Sequence, residues 1–219
     1  MKRQRLNWQE KVRKNVRKIM DFEHVKAVFE EYLNGYDREN DKVKLKIVNT
    51  YGVIRCSEEI GQRMGLQAED MELAKLIALL HDIGRFEQLK RFNSFEADTM
   101  DHATYGVKVL FEEGMIRQFI EEDIWDDVIR TAIAKHSDYE LTGITDERTL
   151  LHARLIRDAD KLDNCRVKLE DAMETLLDLS ADEVGKYAIS PKVREDAFAG
   201  KCICSKDRRT PMDYWVSYV

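Results

Sequence analysis

Residues 79–88 read LLHDIGRFEQ and set an imidazole and a carboxylate side by side, His81 and Asp82, at the end of a very apolar run. The dipeptide alone is weak evidence, because a histidine on a core helix is more often simply hydrogen-bonded. Its company further along changes the reading. His102 lies in DHATYGVKVL, His136 closes VIRTAIAKH, and LIRDADKLDN sets Asp160 one helical turn before Asn164. Judged by the neighbouring apolar period, each sits at the mouth or on the inner face of a helix, and a bundle can converge such residues on one point. Imidazole and carboxylate together make a mixed nitrogen and oxygen shell that suits Mn, Fe, Co, Ni or Zn better than Mg or Ca. A divalent ion held there would lower the pKa of a water and polarise a phosphoryl oxygen, which is the chemistry of phosphate-ester hydrolysis.

The elements that must position these residues are helices. The chain has 219 residues, with only 2 Pro and 10 Gly, 36% charged and 43% hydrophobic positions, so few residues punctuate turns and strands. That length suits one domain with a substantial core. The apolar period predicts a long helix over 42–64 closed by Gly65, and a second from about 68 to 82 whose end, LAKLIALLHD, is apolar on every side and therefore central. Further helices are expected over 101–113, 123–136, 147–179, 181–189 and 191–199. SADE is a capping box, and Ser190 precedes a Pro at the first helical position. No repeat and no convincing strand emerges, and the expected fold class is all-α. The first twenty residues carry eight Lys or Arg and one Glu, with Trp8, Val12, Val16 and Ile19 spaced for an amphipathic helix with a basic outer face. His24 has no candidate ligand nearby and belongs on the surface. PMDYWVSYV, at the end, reads as the start of a helix that docks.

The stations HD, a lone His, another His and ADKLDN, in that order, resemble the HD-domain superfamily of metal-dependent phosphohydrolases. The resemblance spans about residues 42–170, between a helical extension over 1–33 and C-terminal helices over 171–219, and implies a helical bundle. It also implies His81, Asp82 and Asp160 as metal ligands, with Asn49 of NTYGV in the place where the family has its first histidine and Gly52 where an arginine is common. His102 and His136 match the histidines that hold a second metal or grip the scissile phosphate, with Asp82 bridging two ions. Ser137 stands where two-metal members usually have a further histidine, so one ion is expected and a second is open. The catalytic set implied is Asp82, His102, His136 and Arg85. Arg85 replaces a frequent lysine and could hold a phosphate bidentately, and Lys90, Arg91 and Lys161 could add charge at the mouth. Asn164 resembles an amide near the substrate in the alarmone-hydrolysing branch, and equally reads as an Asn bonding a helix carbonyl.

Two functions follow. One is a phosphohydrolase acting on a nucleotide or other small phosphoester through a metal-activated water. The other is a degenerate relative that keeps the pocket to sense a nucleotide or to hold a partner. Asparagine is a poorer ligand than imidazole for a late divalent metal, so Asn49→His is expected to tighten metal binding and raise hydrolysis. The net charge of -6 argues against a protein that coats nucleic acid. No membrane span is expected, and a homo-oligomer is compatible with the sequence. Cys56, Cys165, Cys202 and Cys204 fit no disulfide framework, which with the lack of a signal-peptide pattern suggests reduced thiols and the cytoplasm.

Overall fold

Asp21 opens the first helix of the computed structural model by accepting hydrogen bonds from the backbone N–H groups of Glu23 and His24, and α1 runs Phe22–Leu33. The structure describes residues 20–96, 98–170 and 173–217, and the basic helix expected at the start of the chain lies outside them. Asn40 caps α2 (Asp41–Met64) in the same way, and Gly65 ends it at φ 71°, a left-handed conformation that an L side chain would resist. α3 (Ala68–Leu80) buries Leu73, Ala74, Leu76, Ile77, Ala78, Leu79 and Leu80, so the helix that is apolar all round is indeed central. It stops two residues earlier than the periodicity suggested. The backbone breaks at His81 and Asp82 and resumes as α4 (Ile83–Phe92), a helix the sequence did not announce.

α5 (His102–Val107) is capped by Asp101 and passes into a π-helical turn, Lys108–Glu112. The short α6 (Ile116–Phe119) follows, then α7 (Asp126–Lys135), which ends at His136, and the long α8 (Glu147–Glu170). The tail holds α9 (Met173–Leu177), α10 (Ala181–Val184), α11 (Pro191–Phe198), a 3-10 turn at Ser205–Asp207 and α12 (Pro211–Val216). The capping box at Ser180 and the Pro at the start of α11 are as the sequence suggests, while α10 is shorter than the expected 181–189. Among the described residues every regular element is helical, and none of these helices is long and apolar enough to cross a membrane.

α8 packs along α2 and against α7, and α2 packs on α3, so the broken end of α3 faces both α7 and α8. Two contacts fix this arrangement. At the N-terminal end of α3, Asp70 accepts from Arg148 Nε (2.7 Å) and faces His152 Nε2 (3.1 Å), both on α8. At the other end α4 and α5 cross in van der Waals contact, because neither Gly84 nor Gly106 carries a side chain there. A Cβ on Gly84 would lie 2.2 Å from the His102 carbonyl oxygen and 2.7 Å from the Gly106 nitrogen. His24 is exposed, as expected, and meets the Gln118 carbonyl at 2.9 Å.

Candidate metal centre

Four elements deliver the centre. The break after α3 supplies His81 and Asp82, the first residue of α5 is His102, the residue after α7 is His136, and α8 contributes Asp160. Asp82 is the hub. Its Oδ1 lies 3.0 Å from His102 Nε2 and 3.2 Å from His136 Nε2, and those nitrogens are 3.2 Å apart. Its Oδ2 lies 3.4 Å from His81 Nε2, which is 3.5 Å from Asp160 Oδ1. Two clusters of donors thus share one carboxylate: Asp82, His102 and His136 on one side, and His81, Asp82 and Asp160 on the other.

The donor chemistry fits a divalent ion. His81 Nδ1 lies 2.7 Å from the Ala78 carbonyl, and His136 Nδ1 lies 2.7 Å from that of Ile133. A neutral ring that donates from Nδ1 has a lone pair at Nε2, the arrangement that prepares histidine as a ligand. His81 Nε2 and Asp82 Oδ1 are buried with no hydrogen-bond partner among the described residues, a costly state unless a cation completes them. An ion at about 2.0–2.1 Å from nitrogen and oxygen donors separates them by about 2.8–3.4 Å between its octahedral and tetrahedral limits. The triangle of Asp82 Oδ1, His102 Nε2 and His136 Nε2 has those edges.

Electrostatics agree with that assignment. Burial raises the Asp82 carboxyl, but Lys46, His81 and His102 outweigh it and hold the group well below the usual carboxylate range. Burial also raises Asp160, which the His81 ring 3.5 Å away overcomes, leaving it ionised. His102 is pushed down to about 4 by burial, against the pull of Asp82 and with the help of Arg85, so it is a neutral donor near pH 7. His81 behaves oppositely. Burial depresses it, but Asp82 and Asp160 raise it to about 9 when no ion is bound.

The other residues singled out from the sequence have diverse places. Asn49 is buried on α2 beside this centre, but both ends of its amide are engaged: Oδ1 accepts from Lys46 Nζ, and Nδ2 donates to Asp163 Oδ2 at 2.8 Å. Asn164 Oδ1 is a distant second acceptor at 3.5 Å. Arg85 Nη2 donates to His102 Nε2 at 2.9 Å, and its Nη1 is held by Gln88 Oε1 (2.5 Å) and the Phe95 carbonyl (3.2 Å). Lys161 is exposed and reaches Cys202 Sγ at 3.6 Å. Lys90 and Arg91 are exposed on α4 and are occupied elsewhere, with the Gly35 carbonyl and Glu87 respectively.

Two buried charges escaped the sequence reading. Lys46 Nζ forms an ion pair with Asp82 Oδ2, with both side chains only 6% exposed. Asp163 is held by Arg166 through both oxygens (2.8 and 2.9 Å) and lies against Gly52, where a Cβ would stand 2.0 Å from its Oδ1. Where the resembling pattern commonly has an arginine, this chain has a glycine whose side-chain position is filled by the Asp163 carboxylate, and Arg166 from α8 brings the guanidinium. The helical register carried the only signal for either residue. Lys46 is one turn before Asn49, and Asp163 is one turn after Asp160.

With this geometry in place, comparison with known proteins decides the family. A model described as HD domain matches residues 47–165, more than half of the chain. The chain belongs to the HD-domain family. All the stations of the centre except Lys46 fall inside the matched region. A 165-residue stretch is 29% identical to Ribonuclease Y of Acetivibrio thermocellus, covering 72% of this chain and 27% of that protein. The HD-domain chain therefore spans about a quarter of its curated relative. No solved structure matches it.

Proposed function

We propose that this HD-domain protein is a metal-dependent phosphohydrolase acting on a nucleotide or other small phosphoester. The observation that carries the reading is the convergence of Asp82, His102 and His136 on one point, with edges of 3.0–3.2 Å and an orphaned carboxylate oxygen among them. These three residues would hold the ion. A divalent ion supplies charge that acidifies a water and polarises phosphoryl oxygen. The chain's own residues do the rest. Neutral His102 presents a lone pair at Nε2, His136 Nε2 and Asp82 Oδ1 lie beside it, and Arg85 places a guanidinium at the edge of the centre, where it can neutralise a phosphate oxygen. Lys161 and Asn164, next along α8 from Asp160, are the candidates to meet the rest of the substrate. Ribonuclease Y is by name an enzyme acting on RNA, whose linkages are phosphodiesters, and this likeness supports hydrolysis at phosphorus as the reaction class.

A second reading, a binding module without turnover, is favoured by the use of Asn49 and Lys46 to satisfy one another. Elemental analysis of protein purified without chelator, beside Asp82→Ala, separates the two. The enzyme reading expects Mn, Fe, Co, Ni or Zn that is lost in the variant, together with ion-dependent cleavage of chromogenic phosphomonoesters or phosphodiesters. Absence of metal after incubation with excess Mn or Ni, and of turnover, leaves the binding module.

A further inference from the structure

Lys46 is 5% exposed, and both of its oxygen partners lie in the centre: Asp82 Oδ2 and Asn49 Oδ1. The first belongs to the donor cluster of His81, Asp82 and Asp160. The second belongs to the side chain in the place of the family's first histidine. An ion bound by that cluster would meet the same Asp82 oxygen that the ammonium already holds, and two positive charges pressed together there in a buried site repel strongly. We propose that Lys46 is the resident cation of this half of the centre, so that the chain takes a single divalent ion, at Asp82, His102 and His136. The inference deepens the metal-dependent reading above and rests on it for the location of that ion.

Asn49 acquires a reason in this arrangement. An amide accepts from an ammonium through oxygen and donates through nitrogen, and here it links Lys46 to Asp163, which Arg166 holds on its far side. A neutral imidazole could also join a donor to an acceptor, but it would restore a metal-binding nitrogen beside the shared carboxylate. The other half of the centre is easier to open. Arg85 Nη2 touches His102 Nε2, but Nη1 keeps Gln88 and the Phe95 carbonyl as anchors, so the guanidinium can release the ring and remain bonded. Lys46 would have to give up both of its partners in a buried site, which would be left unsatisfied.

The test is Mn(II) titration of the full chain by calorimetry, checked by elemental analysis after desalting. The wild type is expected to bind one ion, and Lys46→Met/Asn49→His two. In the wild-type background His81→Gln should leave the ion in place, with affinity within the about 10-fold expected of a neighbouring group, while His136→Gln should weaken it by about 100-fold or more. These two variants keep Lys46 and decide the matter even if the double variant does not fold. Two ions in the wild type, a folded double variant that gains none, or loss of the wild-type ion with His81→Gln but not with His136→Gln would overturn the proposal. If the wild type binds no ion while the double variant binds one that His81→Gln removes, Lys46 is confirmed as occupant and it is the metal-dependent function that fails.

Discussion

Asp82 divides its two oxygens between unlike partners, and that division sets what each nearby substitution should do. Asp82→Ala removes the proposed ligand of the ion and at the same time leaves the Lys46 ammonium buried without its carboxylate, a change that typically costs about 3–5 kcal/mol. Metal loss together with an unfolding free energy in urea lowered by that amount is the expected result, and a variant that lost metal without losing stability would show that Lys46 has other compensation. Metal-free protein should also be sensitive at both ends of the pH scale. The His102 pKa falls from 6.5 to about 4 on folding, so its contribution is present above 6.5 and disappears as the pH falls through 4. The His81 pKa rises to about 9, so its contribution is present below 6.5 and is lost as the pH rises through 9. Urea melts in EDTA from pH 4 to 9 check this, and His102→Gln should flatten only the acid limb. The sequence made the histidines and their carboxylates legible because few other roles explain so many near predicted helix ends. Lys46 and Asp163 were hidden, since a lysine in DKVKLKIV and an aspartate beside Arg157, Lys161 and Arg166 look like solvated charge until the helices are packed together. If Lys46 is the occupant proposed above, Asn49→His by itself should not tighten metal binding while Lys46 holds the shared oxygen.

Helix ends, rather than helix interiors, carry most of the donors, and their accuracy depends on how the short helices cross. His102 begins α5, and its backbone carbonyl lies directly over Gly84 of α4. Any side chain at 84 would force the two elements apart and carry the His102 ring from Asp82. Gly84→Ala should therefore cost about 1–3 kcal/mol through overpacking, and it should also weaken Mn(II) binding, because the misplaced group is one of the three proposed ligands. Thermal melts with and without Mn(II) separate the two effects: a variant that loses stability yet keeps the full metal-induced rise in Tm would refute the positioning role. α4 was absent from the expected elements because the apolar run ends at about residue 82. A run of good helix formers, RFEQLKRF, follows the glycine, but the periodicity is short and Gly84 is a poor helix former. The glycine is there for the crossing, which no local pattern records. Long helices were easier to see. α2 supplies a repeating apolar face and clear end signals, whereas the helix expected over 147–179 is described as α8 to Glu170 and a separate α9 from Met173 to Leu177, and α10 stops at Val184 although the amphipathic pattern continues.

At the scale of the molecule, the helices that bear the centre are α2, α3, α5, α7 and α8, and the tail beyond α9 contributes none of its donors. The tail has its own clasp. Asp213, fully buried at the start of α12, accepts from Ser190 N–H (2.8 Å) and Oγ–H (2.6 Å), and from the N–H groups of Arg209 (2.7 Å) and Thr210 (3.0 Å). One carboxylate thus ties the approach to α11 to the first turn of α12. Lys168 on α8 then holds the far end of α12 by donating to the Tyr214 and Trp215 carbonyls at 2.8 and 2.5 Å, which complements the negative end of that helix. The carboxyl pKa shows the strength of the clasp. Burial would raise it, but the donors from Ser190, Arg209 and Thr210 hold it down at about 2, below its ordinary 3.8. Its contribution is therefore present above pH 3.8 and is lost as the pH falls through 2. Asp213→Ala would leave those donors unpaired and should cost about 1–3 kcal/mol, with faster amide exchange confined to residues 188–217. Metal stoichiometry should stay that of the wild type, because no ligand-bearing helix depends on the clasp. Should the variant lose its ion while α2, α3 and α8 keep their exchange protection, the tail would have to be counted as part of the centre.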